Sequence, residues 1–412
     1  MTKTVRIAVL SSALVVLSIA PLAFAVDDEP VEVLQALEEV PEDRLLDVGI
    51  HVFDTGVPED EEAKFFLEEK GVFEEIRKSE ARWIPMNLKR TLESTGYWGA
   101  VRLIPSATNV DVTLEGAIVA STGKKLEIDV VVFDATGRSW LSKRYEGEAD
   151  PLGYEEESAK EPFQSLYNRI ANDLLKERND LDAEELAEIR TVAELQFARD
   201  LAPIAFENHL AVKKGRYSPA RLPAEGDPMM ERVSEIRERD HMFIDTLNEY
   251  YADLYSKMEV PYGGWRSNSY EEELALDELN RAAKWRKILG AAAIIGGVIA
   301  SSQDKDCDNR RSDSCDWSNA GEVAVMGGMV AMMDGFDKSA QTKMHREALK
   351  ELAGSFDSEV QELLFDVEGE VLRLKGSVET QYTSWRQILR DLFAAETGVA
   401  VDPNAVVSPP RQ

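Results

Sequence analysis

The chain has 412 residues, with 77 acidic side chains against 47 basic ones and a formal charge of −30. Hydrophobic residues make up 44% of it, enough for more than one buried core at this length. A chain this acidic is not built to bind nucleic acid, and anionic lipid repels it at long range.

The first predicted element is MTKTVRIAVLSSALVVLSIAPLAFA. Lys3 and Arg6 supply a positive start, Ile7 to Pro21 an apolar run, and Ala23-Phe24-Ala25 a small-x-small cleavage site. Residues 1–25 therefore read as a secretory signal peptide. The acidic run Val26-Asp27-Asp28-Glu29 favours cleavage over retention as an anchor. Loss of Lys3 and Arg6 moves the charge from −30 to −32. The expected location is the periplasm, with peripheral membrane association.

Residues 26–178 follow one α/β pattern. Leu46 to Phe53 alternates as a strand, and Phe73, Ile76, Trp83, Ile84, Leu88 and Leu92 recur at helical spacing up to Gly96. Pro85 is expected to break or restart that helix. Val101–Ile104, Val110–Ala120, Leu126–Phe133 and Ser139–Tyr145 read as strands, the last three joined by the turns Ser121–Lys124 and Asp134–Gly137. An amphipathic helix carrying Phe163, Leu166, Ile170, Leu174 and Leu175 closes a sandwich with helices on one face of a sheet. Trp83 and Leu88 are expected to bury against the strand of Val112 and Leu114, and the unit is expected to fold alone.

The run "LESTGYWGAVRLIP", then "VDVTLEGAIV" and "KLEIDVVVFDATGRSWLSKRYEGE", resembles the periplasmic domain of auxiliary lipoproteins of ABC-type lipid-transport systems. The N-terminal domain of TolB-like envelope proteins is similar in layout. Asp111, Leu114, Gly116, Asp134 and Gly137 carry the likeness, which covers about a third of the chain. It implies an envelope location and a lipid-transport setting. The lipidated cysteine that opens those lipoproteins has no counterpart here.

Residues 179–285 read as a charged helical region. Leu181–Leu201 forms one helix, and Pro219, Pro223, Gly226 and Pro228 a rigid connector. Met229–Met258 is the strongest helix, with Val233, Ile236, Phe243, Ile244, Leu247, Tyr250, Tyr251, Leu254 and Tyr255 in one stripe. Pro261-Tyr262-Gly263-Gly264 is expected to stop it, and a further helix to start at Tyr270. Arg237, Asp240 and His241 form a compact polar set on the strong helix. Asp240 falls near the apolar stripe, so it requires a buried partner, either Arg237 or another arginine.

Residues 286–337 read as a glycine-rich helical hairpin. Ile288–Ala300 and Val323–Met333 would each measure about 16–20 Å as helices, too short to span a bilayer. Gly290 and Gly297 in the first, and Gly328 and Gly335 in the second, recur a heptad apart, a spacing that lets two helix backbones approach closely. Trp285 lies in the basic-aromatic collar Lys284–Lys287, a type of anchor found at lipid interfaces. The acidic loop between the runs cannot cross hydrocarbon cheaply. It holds the two cysteines, Cys307 and Cys315, which are expected to form a disulfide in an oxidising compartment. Asp304, Asp306 and Asp308 mimic the start of a calcium loop, but Asn309 replaces the glycine and Cys315 the closing glutamate.

Residues 338–397 read as a small C-terminal element: a helix from about Asp337 to Leu352, the strand Val371–Lys375, and a helix through Tyr382, Trp385, Ile388, Leu389, Leu392 and Phe393. "GEVLRLKGSV" followed by a helix resembles the BON-type modules of envelope proteins. Residues 398–412, with three prolines, read as a disordered tail.

The fold class expected is therefore mixed α+β. His51, His209, His241 and His345 stand in no metal-ligand spacing, and no catalytic motif is present, so no catalytic residue, metal or cofactor is assigned. The functional expectation is an exported, non-enzymatic envelope accessory protein. Residues 286–337 would bind an envelope protein, a membrane surface or a second copy of the chain. A hydrolase with scattered acid and base groups, and a soluble scaffold with a buried hairpin, are the alternatives.

Overall fold

The computed structural model describes residues 30–68, 71–105, 108–155, 158, 160–301, 340–359, 362–367 and 370–398. The chain is mixed α+β, as its patterning requires. β1 (Val48–Ile50), β2 (Val101–Leu103), β3 (Val112–Ser121), β4 (Lys125–Asp134) and β5 (Ser139–Glu148) form one sheet in the order β2-β1-β3-β4-β5. β1 is parallel to both of its neighbours, and β3, β4 and β5 form an antiparallel meander. The short helix α1 (Glu61–Glu68) and the long α2 (Glu74–Thr95) connect β1 to β2, and α3 (Gln164–Asn179) follows the meander.

Pro85 does not break α2, which runs unbroken to its left-handed cap at Gly96. A proline inside a helix deprives the carbonyl four residues earlier of its donor. Here that carbonyl belongs to Ala81, and it accepts the backbone N–H of Phe53 at 3.0 Å instead. The loop after β1 thus satisfies the group that the proline orphans.

α2 is buried on two faces. Ala81, Ile84, Leu88 and Leu92 pack into the core of the sheet with Val112 and Leu114. Phe73, Ile76, Trp83 and Met86 belong to a second core built with the later helices. Leu88 therefore meets the predicted strand and Trp83 does not. Its indole stacks on Tyr255, with ring centroids 3.9 Å apart and 13° between planes.

After α3 come α4 (Ala183–Leu201), a single turn α5 (Pro203–Phe206), and an unexpected hairpin of β6 (Leu210–Lys213) and β7 (Arg216–Pro219). Both of its turn residues, Lys214 and Gly215, have positive φ, the backbone of the tight turns that match strand twist. A lysine in that conformation is an unusual signal, and the region reads as helical without it.

α6 (Pro228–Ser301) is one helix of 74 residues, about 110 Å long at 1.5 Å per residue. Pro261, Gly263 and Gly264 lie inside it and do not stop it. Their intrinsic cost, ~3 kcal/mol for proline and ~1 for each glycine, is opposed by tertiary packing. Tyr262 and Trp265 are buried in the second core, and a Cβ on Gly264 would lie 2.5 Å from the His345 ring. That glycine permits the crossing with α7 (Ala340–Glu359). The chain ends its described part with a hairpin of β8 (Glu362–Val367) and β9 (Glu370–Lys375), where one strand is expected, and with α8 (Val378–Thr397).

α6 also closes the edge of the sheet. The Asn248 amide donates to the Leu103 carbonyl and accepts from the Leu103 N–H, both at 2.8 Å. One side chain thereby satisfies backbone groups of the edge strand β2 that would otherwise template foreign pairing. Farther along, the β3–β4 turn abuts the same helix. A Cβ on Gly123 would sit 2.2 Å from the Arg266 carbonyl oxygen. Gly123→Ala is expected to cost about 1–3 kcal/mol, as overpacking does. Gly263→Ala, with open space at its Cβ, is expected to raise stability by up to about 1 kcal/mol. Urea melts of the two variants check both signs.

Candidate functional site

β1, β2 and β3 begin at the same end of the sheet, and an aspartate precedes two of them: Leu46-Asp47-Val48 and Val110-Asp111-Val112. Neither carboxylate is ordinary surface. Asp47 Oδ1 accepts the Ala100 N–H at 2.8 Å, and Asp111 Oδ2 accepts the Asp47 N–H at 2.9 Å. Gly99 leaves room for this, since a Cβ there would lie 2.4 Å from Asp47 Oδ1.

α4 and α6 cross the same strand ends and form with them a half-open cavity of about 650 Å³. Asp47, Ala100 and Asp111 line it from the sheet, Arg190 and Glu194 from α4, and Arg237 and His241 from α6. Burial pushes the Asp111 carboxyl up to about 6, against the pull of the Arg237 guanidinium and the Asp47 N–H. Burial also brings His241 down to about 4, helped by Arg237 and Arg102. At neutral pH the imidazole is therefore uncharged.

These two shifts have opposite linkage. Asp111 binds its proton more tightly folded than unfolded, so its contribution to stability falls as pH rises from about 4 to about 6. His241 binds its proton less tightly folded, so its contribution rises from about pH 4 to about 6.5. Each is worth on the order of 3 kcal/mol at ~1.4 kcal/mol per unit, and in the native chain they oppose each other. Asp111→Asn is expected to leave a profile that rises more steeply across this window, and His241→Gln one that falls more steeply. Urea melts at a series of pH values give both slopes relative to the parent chain.

The polar set anticipated on the strong helix divides. Arg237 and His241, one turn apart, face the cavity. Asp240 turns into the core, where its Oδ2 accepts from Tyr382 at 3.0 Å and from Arg386 Nη1 at 3.2 Å. The arginine that Asp240 requires is thus Arg386 of α8, not Arg237. Among the described residues no group of three or more His, Cys, Asp or Glu could hold a metal. His345 packs on Gly264, and His51 Nδ1 lies 3.6 Å from Glu115.

Of the motif residues, Asp134 makes the turn after β4. Its Oδ1 accepts from Thr136 and the Arg138 N–H, and its Oδ2 from the Trp140 indole. Trp285, Gly290 and Gly297 lie within α6. Gly328 and Gly335, the cysteines Cys307 and Cys315, the signal peptide and the tail from residue 399 lie outside the described residues.

No family model matches the chain, and no curated protein or solved structure matches it either.

Proposed function

We propose that the chain is an exported, non-enzymatic accessory protein of a cell envelope, acting in envelope assembly or lipid transport. It binds an envelope protein or membrane surface through residues 286–337. The observation that supports this reading is the course of α6. Its first half is built into the body through Phe243, Tyr255, Tyr262 and Trp265. Lys124 still pairs with Asp277 at 2.5 Å, and the helix then continues 24 residues to Ser301, about 36 Å at 1.5 Å per residue.

Ile288–Ala300 therefore lies on the continuation of the helix past Asp277, and the chain returns at Ala340, where α7 packs on α6. An apolar, glycine-rich run at the far end of such a helix suits contact with a partner, since contiguous apolar segments of this kind commonly mark interaction sites. Among the described residues no helix is long and apolar enough to cross a membrane. The acidic stretch of sequence with Asp304, Asp306, Asp308, Asp313 and Asp316 favours a protein partner over deep insertion.

The test is fractionation of the native host envelope, comparing the full chain with one in which a flexible linker replaces residues 286–337. The full chain is expected in the membrane fraction and the variant in the soluble fraction, with equal melting of the body. Equal partitioning of the two would refute the reading.

A further inference from the structure

The cavity between the strand ends, α4 and α6 holds charges of both signs that form no ion pair with one another, although Arg237 and Arg190 act on the Asp111 carboxyl through space. Arg190 and Arg237 are its cations, and Asp47, Asp111, Glu194 and Glu42 its acids, of which Asp47 already pairs with Arg102 at 3.5 Å. Arg190 donates to the Glu42 carbonyl at 3.4 Å. Among the described residues Arg237 makes no ion pair or hydrogen bond, and its Nε is buried without an acceptor. Glu194 has no such partner either, and Asp111 uses one of its two oxygens, on the Asp47 N–H.

Buried donors are almost always bonded, and a guanidinium beside carboxylates ordinarily pairs with them. Side chains that face charges of the other sign across a gap and form no ion pair with them leave room for a ligand carrying both signs. We infer that this cavity is a binding site for a small zwitterion, an α-amino acid or a short peptide with free termini. Arg190 and Arg237 receive its carboxylate, and Glu194 and Asp111 receive its ammonium group.

The alternatives fit less well. Inorganic phosphate would be met by Asp111 and Glu194 as well as two arginines, and a metal cation would face both guanidinia. A zwitterion satisfies the two sets together. The volume of about 650 Å³ lies within the range of ordinary small-molecule sites. Leu45, Ala100 and Ala187 offer apolar lining for an aliphatic side chain. The site lies at the amino ends of the parallel strands, which separates it from the usual crevice at the carboxyl ends of open α/β sheets.

The experiment is isothermal titration of the full chain at neutral pH with each of the twenty L-amino acids and with alanylalanine. For any that binds, the deaminated acid, the decarboxylated amine and inorganic phosphate are titrated in parallel. At least one zwitterion is expected to bind, and each half-ligand at least about tenfold more weakly, the worth of one charge-assisted bond. Arg237→Met and Glu194→Gln are each expected to weaken binding about tenfold or more on the same grounds. Neither side chain bonds to the protein, so both variants should fold, and circular dichroism verifies it. Arg190→Lys, which keeps the charge and loses the forked geometry, should give an intermediate loss. Absence of binding by all the zwitterions at millimolar concentration overturns the inference. So does equal binding of a half-ligand or phosphate, or unchanged affinity in a folded Arg237→Met variant.

Discussion

Arg386→Met is expected to lower the stability of the chain by about 3–5 kcal/mol, as breaking a buried ion pair from one side does. Arg386 is 3% exposed. It holds Asp240 at 3.2 Å and Asp200 through Nε at 3.1 Å and through Nη2, and its guanidinium lies 4.3 Å from the centre of the Phe197 ring. Arg390 also pairs with Asp200. Removing Arg386 therefore leaves Asp200 one cation, but leaves Asp240 with none in contact. Burial already raises the Asp240 carboxyl above its ordinary range, against the pull of Arg386. Without the arginine it would rise further.

A raised folded value means a proton bound more tightly in the native state, so stability falls as pH climbs past the unfolded value of about 3.8. The deficit of the variant should be smallest near that pH and grow toward neutrality. Asp240→Asn in the same chain removes the stranded charge, and the double variant should be more stable at neutral pH than Arg386→Met alone. Urea melts of the two variants at two pH values give both comparisons. A deficit below about 1 kcal/mol, the range of ordinary surface changes, would show that solvent reaches Asp240.

Trp83→Ala is expected to cost a similar 3–5 kcal/mol, the usual range for truncating a buried large aromatic side chain. The partners lost are on α6: Tyr255 stacked at 3.9 Å, Tyr262 edge-on at 5.1 Å and the Arg266 guanidinium at 5.3 Å. A double-mutant cycle with Tyr255→Ala should show a coupling of about 0.5–1.5 kcal/mol, the worth of a stacked pair beyond area burial. Additive effects would place Trp83 in the sheet core instead. Leu88→Ala, whose side chain meets Val112 and Leu114, should show no coupling to Tyr255, because distant sites add.

The same geometry bears on domain organisation. α2 gives one face to the sheet and the other to the helical body, so an isolated segment 26–178 would expose Phe73, Ile76, Trp83 and Met86. The boundary near residue 178 is real in sequence pattern, since strands precede it and helices dominate after it. Burial does not respect that boundary: Glu161 of the first unit holds Arg266 of α6 through two hydrogen bonds, both side chains nearly buried.

Local residue patterning specified what depends on near neighbours. Alternation over Val110–Ala120 and Leu126–Phe133 specified paired strands, because period two puts one face on a core. Gly96 marked the end of α2 because the cap there needs positive φ. Apolar spacing located α3, α4 and α8 for the same kind of reason. Tertiary structure alone decided what depends on distant groups. Pro85 and Pro261 are local helix breakers, and both were overruled: the Phe53 N–H answers the carbonyl freed by the first, and core packing around Tyr262 and Trp265 holds the helix through the second. The partner of Asp240 lies 146 positions away, and nothing near Asp240 in the chain could name it. The cavity is the extreme case. Asp47 and Asp111 precede two strands, and Arg190 and Arg237 stand on two helices; Arg237 and Asp111 stand out in the sequence for other reasons, and only the convergence of strand ends with two helices brings the four to one cavity.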